Sequence, residues 1–369
     1  MSMTTIQSDL AESTTTDMIS SRSVNRTDEE NIGSKKSGAE IYLFSYMIFI
    51  GTIGMIGNFT VFVVIQRITT QKIKFLIRSQ AMIDFLTSLV LVADTFFNLF
   101  PVPIPKDNYV IRSLYFLWNS DHIMFGLFSV STWNLVVISI ERYIAVVYPM
   151  WYRFTFSKRK AVLLGFAAWT IAPTMQITYL IVSRFLRFAS GKCALGVSAM
   201  SLKTRQIIGV SLFLWDFFIP CMIMGFCFTR ASLKQDRESK IIRAYVNKNT
   251  VSRKVYNDHI NDKYDGKIRK DTIKGDDVRK NTAAEMSRSR NVTQTFVIIF
   301  VVYVICWITN QCLFLQYNLG GYPHWSKAEN YFANSMAILN SACNPFIYVL
   351  HLKVYREKVR AFLSSWKCK

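Results

Sequence analysis

Residues 41–65 read IYLFSYMIFIGTIGMIGNFTVFVVI, a run without a single charged side chain. An α-helix rises 1.5 Å per residue, so about 20 apolar residues cross the hydrocarbon core of a bilayer. A soluble protein of 369 residues would mix its charges with its apolar residues, whereas here the two are separated into blocks. This run predicts a membrane-spanning helix and argues against an ordinary soluble enzyme.

Six further apolar blocks follow the first. Only helices and closed barrels satisfy their backbone hydrogen bonds in lipid, so blocks of about 20 residues predict helices. We expect an all-α membrane protein, a seven-transmembrane helix bundle, preceded by a polar, disordered tail over residues 1–40. The predicted spans are 41–66, 75–99, 114–147, 160–182, 207–229, 293–317 and 329–350.

The basic residues between the spans indicate the orientation. The net charge is +20, and the segments on one side of the predicted bundle, together with Lys160 at the start of the fourth span, hold 30 Lys and Arg against 12 on the other. Cytoplasmic segments carry this excess, which predicts an extracellular N-terminus and a cytoplasmic C-terminus in the plasma membrane. Asn25, in an Asn-Arg-Thr sequon, is then a glycosylation acceptor. Charge placed between apolar blocks favours membrane lipids and a cytoplasmic partner over nucleic acid.

Two polar segments are predicted on the cytoplasmic side. Residues 230–291 hold 17 basic and 9 acidic residues and are expected to form a long basic loop. Residues 351–369 are predicted to form an amphipathic eighth helix on the cytoplasmic membrane face and a short tail. The apolar residues that share one face of this helix are Val354, Tyr355, Val359, Phe362, Leu363 and Trp366.

A carboxylate inside the second span needs a partner or a role. Asp84 lies six residues past Arg78, about 9 Å deeper along the helix, and apolar residues continue beyond it. The residues that could share a polar pocket with it are Asn58, Ser131, Asn340, Ser341 and Asn344. Mutual hydrogen bonding alone would also satisfy any one of these groups.

Prolines and one charge pair mark places where the helices could move. Pro345 has no N–H, so the carbonyl of Ser341 loses its helical partner, and Pro220 frees the carbonyl of Asp216 in the same way. Glu141-Arg142-Tyr143 ends the third span. An ion pair there is ordinary interfacial charge, or a switch that a docking partner breaks.

Together these residues resemble the rhodopsin-like family of G-protein-coupled receptors, over roughly residues 41–366. The matching motifs are Gly57-Asn58, Asp84, Glu141-Arg142-Tyr143, Trp169, Pro220, Cys306-Trp307, and Asn344-Pro345 through Tyr348. The resemblance implies that an extracellular ligand opens a cytoplasmic cleft for a heterotrimeric G protein. It places Arg142 and Tyr348 in that cleft and Trp307 beneath the ligand pocket. It also implies an allosteric sodium site formed by Asp84, Ser131, Asn340 and Asn344, with no other cofactor.

The chain departs from the family pattern at four points. No cysteine precedes Cys193, so the usual disulfide at the top of the third span cannot form. Thr309 stands where the family usually has the proline of span six, Phe228 replaces a frequent tyrosine, and Ser289 replaces a frequent acid. These departures imply unusual coupling and raised basal activity, and they leave open a receptor-like protein that does not signal.

Acids high in the bundle indicate the class of ligand. Amine receptors of the family carry an aspartate at the position matched by Met124, which disfavours an amine. Asp94, Asp121 and Asp216 lie in spans two, three and five, and Asp216 is the only charge between Gln206 and Arg230. We expect Asp216, with Asp94, to anchor a cationic group of a peptide. Protonation or an internal partner would also neutralise Asp216.

Two other classes of protein fit less well. A transporter or channel would line a continuous path with charge, whereas most of the predicted spans contain one charge or none. The four histidines form no arrangement typical of a catalytic set, so no enzyme is expected.

Overall fold

The structure, a computed structural model, describes residues 38–66, 74–100, 122–179, 181, 201–259, 266–320 and 327–367. The predicted glycosylation site Asn25, the acid Asp121 and the cysteine Cys193 lie outside the described residues. Within those ranges every regular element is a helix.

Ten helices can be numbered along the described chain. They are α1 (Gly38–Gln66), α2 (Lys74–Leu99), α3 (His122–Val147), α4 (Pro149–Thr155), α5 (Lys158–Ile171), α6 (Leu202–Phe213), α7 (Ile219–His259), α8 (Gly266–Asn318), α9 (Lys327–His351) and α10 (Lys353–Lys367). A helical stretch at 174–179 belongs to the same apolar span as α5, and a π-helix, Leu214–Phe218, joins α6 to α7. The predicted spans correspond to α1, α2, α3, α5, α6 with α7, α8 and α9.

Six of these segments are long and apolar enough to cross a membrane. The last predicted span, α9, is 25 residues long, which corresponds to about 37 Å of helix, but it is more polar. Its polar side chains Asn340, Ser341 and Asn344 are all buried inside the bundle. Polar side chains that face other helices are compatible with a membrane-spanning helix. The structure therefore agrees with the seven-helix bundle predicted from the sequence.

Three glycines allow α1 to lie very close to its neighbours. A Cβ placed on Gly57 would lie 2.8 Å from Cγ of Pro345 on α9, and one on Gly51 would lie 2.6 Å from Cγ2 of Val92 on α2. Gly54 faces the side chain of Ser88 in the same manner. Small residues at this spacing let helix backbones approach in the absence of a hydrophobic driving force, and they position Asn58 next to α9.

The segment predicted as a long loop is largely helical. Residues 230–259 belong to α7 and residues 266–291 to α8, so both helices extend well past the apolar spans. Lys, Arg, Glu and Ala are good helix formers, and the exposed pair Lys234–Glu238 lies at the favourable i, i+4 spacing, 3.4 Å apart. Polarity alone indicated solvent exposure and could not distinguish a loop from an exposed helix.

A helix, α10 (Lys353–Lys367), lies within the segment for which an amphipathic eighth helix was predicted. Tyr355 is buried, and its ring lies 6.2 Å from that of Tyr348 on α9, which attaches α10 to the bundle. Val359 also packs on the core. The placement of this helix on a membrane surface stays a prediction.

Candidate functional site

Asp84 lies at the centre of a fully buried hydrogen-bond network that joins α2, α3 and α9. Asn344 donates to its Oδ2 at 2.7 Å, and Ser131 donates to its Oδ1 at 3.1 Å. Gln80, one turn earlier on α2, places its Nε2 3.1 Å from both carboxylate oxygens. Three donors therefore satisfy both oxygens of this carboxyl group in the membrane-spanning part of the bundle.

Asn58 on α1 makes two further hydrogen bonds in the polar centre of the bundle. Its Nδ2 donates to the carbonyl of Ser341 at 2.9 Å and to the carbonyl of Gly54 at 2.9 Å. The Ser341 carbonyl needs this donor because Pro345 provides none. Asn340 is buried on α9. The structure thus brings Ser131 and Asn344 to the Asp84 carboxylate and Asn58 to the Ser341 carbonyl.

A sodium ion at Asp84 would need oxygen lone pairs turned towards one point. Both Asp84 oxygens already accept from the N–H and O–H groups of three side chains. With Gln80 in this position the surroundings of the carboxylate do not fit a directly bound sodium ion. Sodium binding stays a prediction of the family resemblance.

A second group of polar residues inside the bundle surrounds Asp216, which lies in the π-helix Leu214–Phe218. Its Oδ2 accepts from Nε2 of Gln176 at 2.9 Å. Its Oδ1 is buried and has no hydrogen-bond partner among the described residues. The nearby hydroxyl of Ser129 donates instead to the carbonyl of Ala172, at 2.9 Å. A buried carboxylate oxygen without a donor is costly, and a ligand could supply the donor.

The Asp216 side chain lines a cavity that also contains Trp307. The remaining residues of its wall are Phe125, Phe128, Ser129, Thr132 and Gln311. The rings of Phe128 and Trp307 pack edge to face, with centroids 4.8 Å apart. An aromatic wall with a few polar groups is typical of a ligand site. Ser129 lies 13 residues before Arg142 on α3, or about 20 Å along the helix.

The backbone around Asp216 has a specific cause. Pro220 cannot donate to the carbonyl four residues earlier, and the helix accommodates this with one π turn, in which Ile219 N–H bonds to the Leu214 carbonyl. The freed carbonyl of Asp216 accepts from Oη of Tyr303 on α8 at 2.8 Å. Asp216 therefore lines the cavity with its side chain and is hydrogen-bonded to α8 through its backbone carbonyl.

The end of the bundle where α3 stops contains the predicted charge pair. Arg142 reaches Glu141 through Nε at 2.5 Å and Nη2 at 2.6 Å, and both side chains are buried. Tyr152 on α4 donates a second hydrogen bond to Oε1 of Glu141. Burial, followed by the negative charge of Glu141, raises the pKa of the Tyr152 phenol, so it remains a donor at physiological pH. Arg142 is thus held within its own helix by an acid that α4 supports.

With this geometry established, comparison with known proteins identifies the family. Residues 57–348 match the family described as 7 transmembrane receptor (rhodopsin family), which is well over half of the chain. The chain belongs to this receptor family. The receptor is accordingly a multi-pass membrane protein.

Individual relatives of the receptor are distant. Galanin receptor 2b of Danio rerio is 24% identical over 280 residues, which cover 74% of this chain and 64% of the relative. Octopamine receptor beta-2R of Chilo suppressalis is 23% identical over 330 residues, covering 87% and 79% of the two chains. Cholecystokinin receptor type A of Cavia porcellus is 24% identical over 360 residues, covering 89% and 80%.

Two other predicted ligand residues, Met124 and Asp94, do not line the Asp216 cavity. Met124 lines a separate cavity with Thr87, Ser88 and Ser341. Asp94 is partly buried on α2 and does not line either cavity. The structure therefore places Asp216 and Trp307 in the wall of one cavity, and Phe128 lines both this cavity and the one that contains Met124.

Two tyrosines of the predicted switch have mainly aromatic neighbours. The ring of Tyr143 lies 5.7 Å from Phe226 and 6.0 Å from Tyr148. Tyr348 packs on Phe296, with centroids 6.3 Å apart, and its buried hydroxyl has no partner among the described residues.

Sequence reasoning missed several residues that hold these sites. Gln80 lies four residues before Asp84, and Tyr303 four before Trp307, so helical spacing from a predicted residue could have indicated both. Gln176 and Tyr152 reach their partners from a different helix. For these two, no local pattern carries the information.

Proposed function

We propose that this protein is a receptor that binds an extracellular peptide at Asp216 and activates a heterotrimeric G protein at its Arg142 end. The observation that carries this proposal is the unpartnered Oδ1 of Asp216, buried in the wall of the cavity that contains Trp307. A cationic group there would gain a charge-assisted hydrogen bond and remove the penalty of an unsatisfied buried oxygen.

The excess of Lys and Arg supports an orientation with the Arg142 end in the cytoplasm. The Asp216 cavity then lies in the outer half of the bundle, and the protein acts at the plasma membrane with Asn25 outside. In this orientation α10 lies on the cytoplasmic membrane face, with its basic side chains near the lipid head groups.

A peptide is favoured over an amine by two lines of support. Galanin and cholecystokinin receptors are among the relatives. Although an octopamine receptor is also a relative, the family position that carries the amine-binding aspartate is Met124 here. Asp94, partly buried farther along α2, is proposed as a second contact for a ligand large enough to reach it.

The proposed signal passes through Asp216 itself. A ligand that draws this side chain into the cavity also changes the backbone carbonyl that Tyr303 holds, and thereby the position of α8. At the other end, activation releases Arg142 from Glu141 so that it can contact the G protein. The receptor performs no covalent chemistry of its own in this scheme, because nucleotide exchange takes place on the partner.

The test is nucleotide exchange on a panel of heterotrimeric G proteins in membranes that contain the receptor, with a library of basic peptides and Arg142→Ala as the inactive control. For an active peptide, each Lys or Arg is replaced by norleucine or citrulline. Replacing the anchoring cation should lower potency in the wild type and have little further effect in Asp216→Asn. An unchanged concentration-response curve for Asp216→Asn, at equal surface expression, would overturn the anchor.

A further inference from the structure

We propose that the side-chain amide of Gln80 takes the place of a cation at Asp84, so that this receptor holds its buried carboxylate without sodium. The inference concerns the polar centre of the bundle. It depends neither on the ligand nor on the proposed function.

The position of the Gln80 nitrogen carries the argument. Nε2 lies 3.1 Å from Oδ1 and 3.1 Å from Oδ2 of Asp84, so it sits between the two carboxylate oxygens. It also donates to Oγ of Ser131 at 2.6 Å. A cation bound to both oxygens of the carboxylate would occupy this side of it. Gln80 and Asp84 are both fully buried, so neither can turn away to solvent.

The neighbouring amides determine which end of the Gln80 side chain faces Asp84. Asn134 donates through Nδ2 to the carbonyl of Leu76 at 3.2 Å, and a flipped Asn134 would point its oxygen at that carbonyl oxygen. In the observed, unflipped orientation Nδ2 of Asn134 also donates to Oε1 of Gln80 at 2.9 Å. The Gln80 oxygen is therefore directed to Asn134, and its N–H groups are directed to the carboxylate.

The remaining lone pairs of Asp84 are also in use. Asn344 donates to Oδ2 and Ser131 to Oδ1, so each oxygen accepts from two groups. A sodium ion needs acceptor oxygens, whereas here the hydrogens of three side chains point towards the carboxylate. A cation and the Gln80 amide would therefore occupy the same position beside the carboxylate, and in the structure the amide occupies it.

As a consequence, the hydrogen bonds through which Asp84 joins α2, α3 and α9 should not depend on the concentration of sodium. Sodium should neither stabilise the wild-type receptor nor shift its equilibrium between states. Removing the Gln80 amide while keeping its volume should expose both Asp84 oxygens and create a site for the ion.

The experiment is thermal unfolding of the purified full-length receptor in NaCl and in N-methyl-D-glucamine chloride at equal ionic strength. The variants are Gln80→Met, which keeps the length of the side chain without its donors, and the double variant Gln80→Met/Asp84→Asn. We expect no sodium-specific change in Tm for the wild type and a rise of about 2–4 °C for Gln80→Met. The double variant should lose that rise.

Two results would overturn the proposal. One is a sodium-specific rise in Tm of the wild type that Asp84→Asn removes, since it would place the ion beside Gln80. The other is a Gln80→Met variant as insensitive to sodium as the wild type, because the amide would then not be what excludes the ion. If Gln80→Met does not fold, the wild-type titration with its Asp84→Asn control still decides the first point.

Discussion

Tyr303 on α8 donates a hydrogen bond of 2.8 Å to the backbone carbonyl of Asp216, whose side chain lines the cavity beside Trp307. Thr132 on α3 lies within 3.5 Å of the same Tyr303 oxygen. Three helices therefore meet at one phenol directly behind the proposed ligand site. The bond exists because Pro220 leaves the Asp216 carbonyl without a helical donor.

Replacing Tyr303 with Phe should destabilise the receptor by about 1–2 kcal/mol, because the Asp216 carbonyl is left buried and unsatisfied. The measurement is the Tm of the purified protein in detergent. Tyr348→Phe is the matched control, since its buried hydroxyl has no partner among the described residues. That variant should unfold close to the wild-type Tm. Equal losses for both variants would mean that the Tyr303 bond adds no stability.

Asn58 and Pro345 should be energetically coupled through the Ser341 carbonyl. Asn58→Leu removes the donor at 2.9 Å and should cost about 1–3 kcal/mol. Pro345→Ala restores a backbone N–H at the position that normally bonds to this carbonyl, so the Asn58→Leu cost should fall by about 1 kcal/mol in that background. Unfolding measurements on the two single variants and the double variant complete the cycle. Strict additivity would contradict the coupling.

Gly57 should not tolerate a methyl group. A Cβ there would meet Cγ of Pro345 at 2.8 Å, so Gly57→Ala should separate α1 from α9 and cost about 1–3 kcal/mol. Gly225→Ala is the control, because its nearest neighbour would be Phe300 Cζ at 3.8 Å. In a helix with room, Gly→Ala is neutral or stabilises by up to about 1 kcal/mol. Comparing Tm values tests whether contact or propensity dominates at Gly57.

Tyr152→Phe should raise basal nucleotide exchange about two- to tenfold, which corresponds to the loss of one hydrogen bond to Glu141. Exchange on a responsive G protein, normalised to surface receptor, measures the effect. The control is Tyr42→Phe on α1, whose side chain is 76% exposed. No change in Tyr152→Phe relative to this control would show that α4 does not restrain the Glu141–Arg142 pair.

The same variant has a defined pH dependence. Burial raises the pKa of Tyr152 above its ordinary value of 10.0, so the stabilisation from its protonated phenol is fully present below about pH 10 and disappears only above that. The difference between wild type and Tyr152→Phe should therefore be the same at pH 6.5 and at pH 8.5. A difference that shrinks over this interval would indicate another titrating group at the Arg142 end.

Predictions from the sequence differed in accuracy according to the range of the interactions behind them. Helix bounds in the apolar spans were predictable because length and polarity are local properties, and the observed α2 and α9 begin and end within about two residues of the predicted spans. The extension of α7 and α8 was not, since helix and loop are equally polar there. Grouping of Asp84, Ser131 and Asn344 followed from the cost of polar groups in lipid.

Contacts between distant residues were inaccessible for a physical reason. Helix amphipathicity states which side of a helix faces the bundle, but the axial shift and rotation of each helix against its neighbour are collective results of packing. Gln176 therefore could not be assigned to Asp216, nor Tyr152 to Glu141.

The sequence by itself determined the helices and the points at which their hydrogen bonding must fail, because a membrane-spanning run and the missing N–H of proline are properties of the local chain. Only the tertiary structure decided which donors satisfy the carbonyls that proline leaves without a helical partner. Asn58 lies 283 residues from Ser341, and Tyr303 lies 87 residues from Asp216. Each pair meets because packed helices bring one unsatisfied carbonyl to one donor, and the low polarity around them makes that bond necessary.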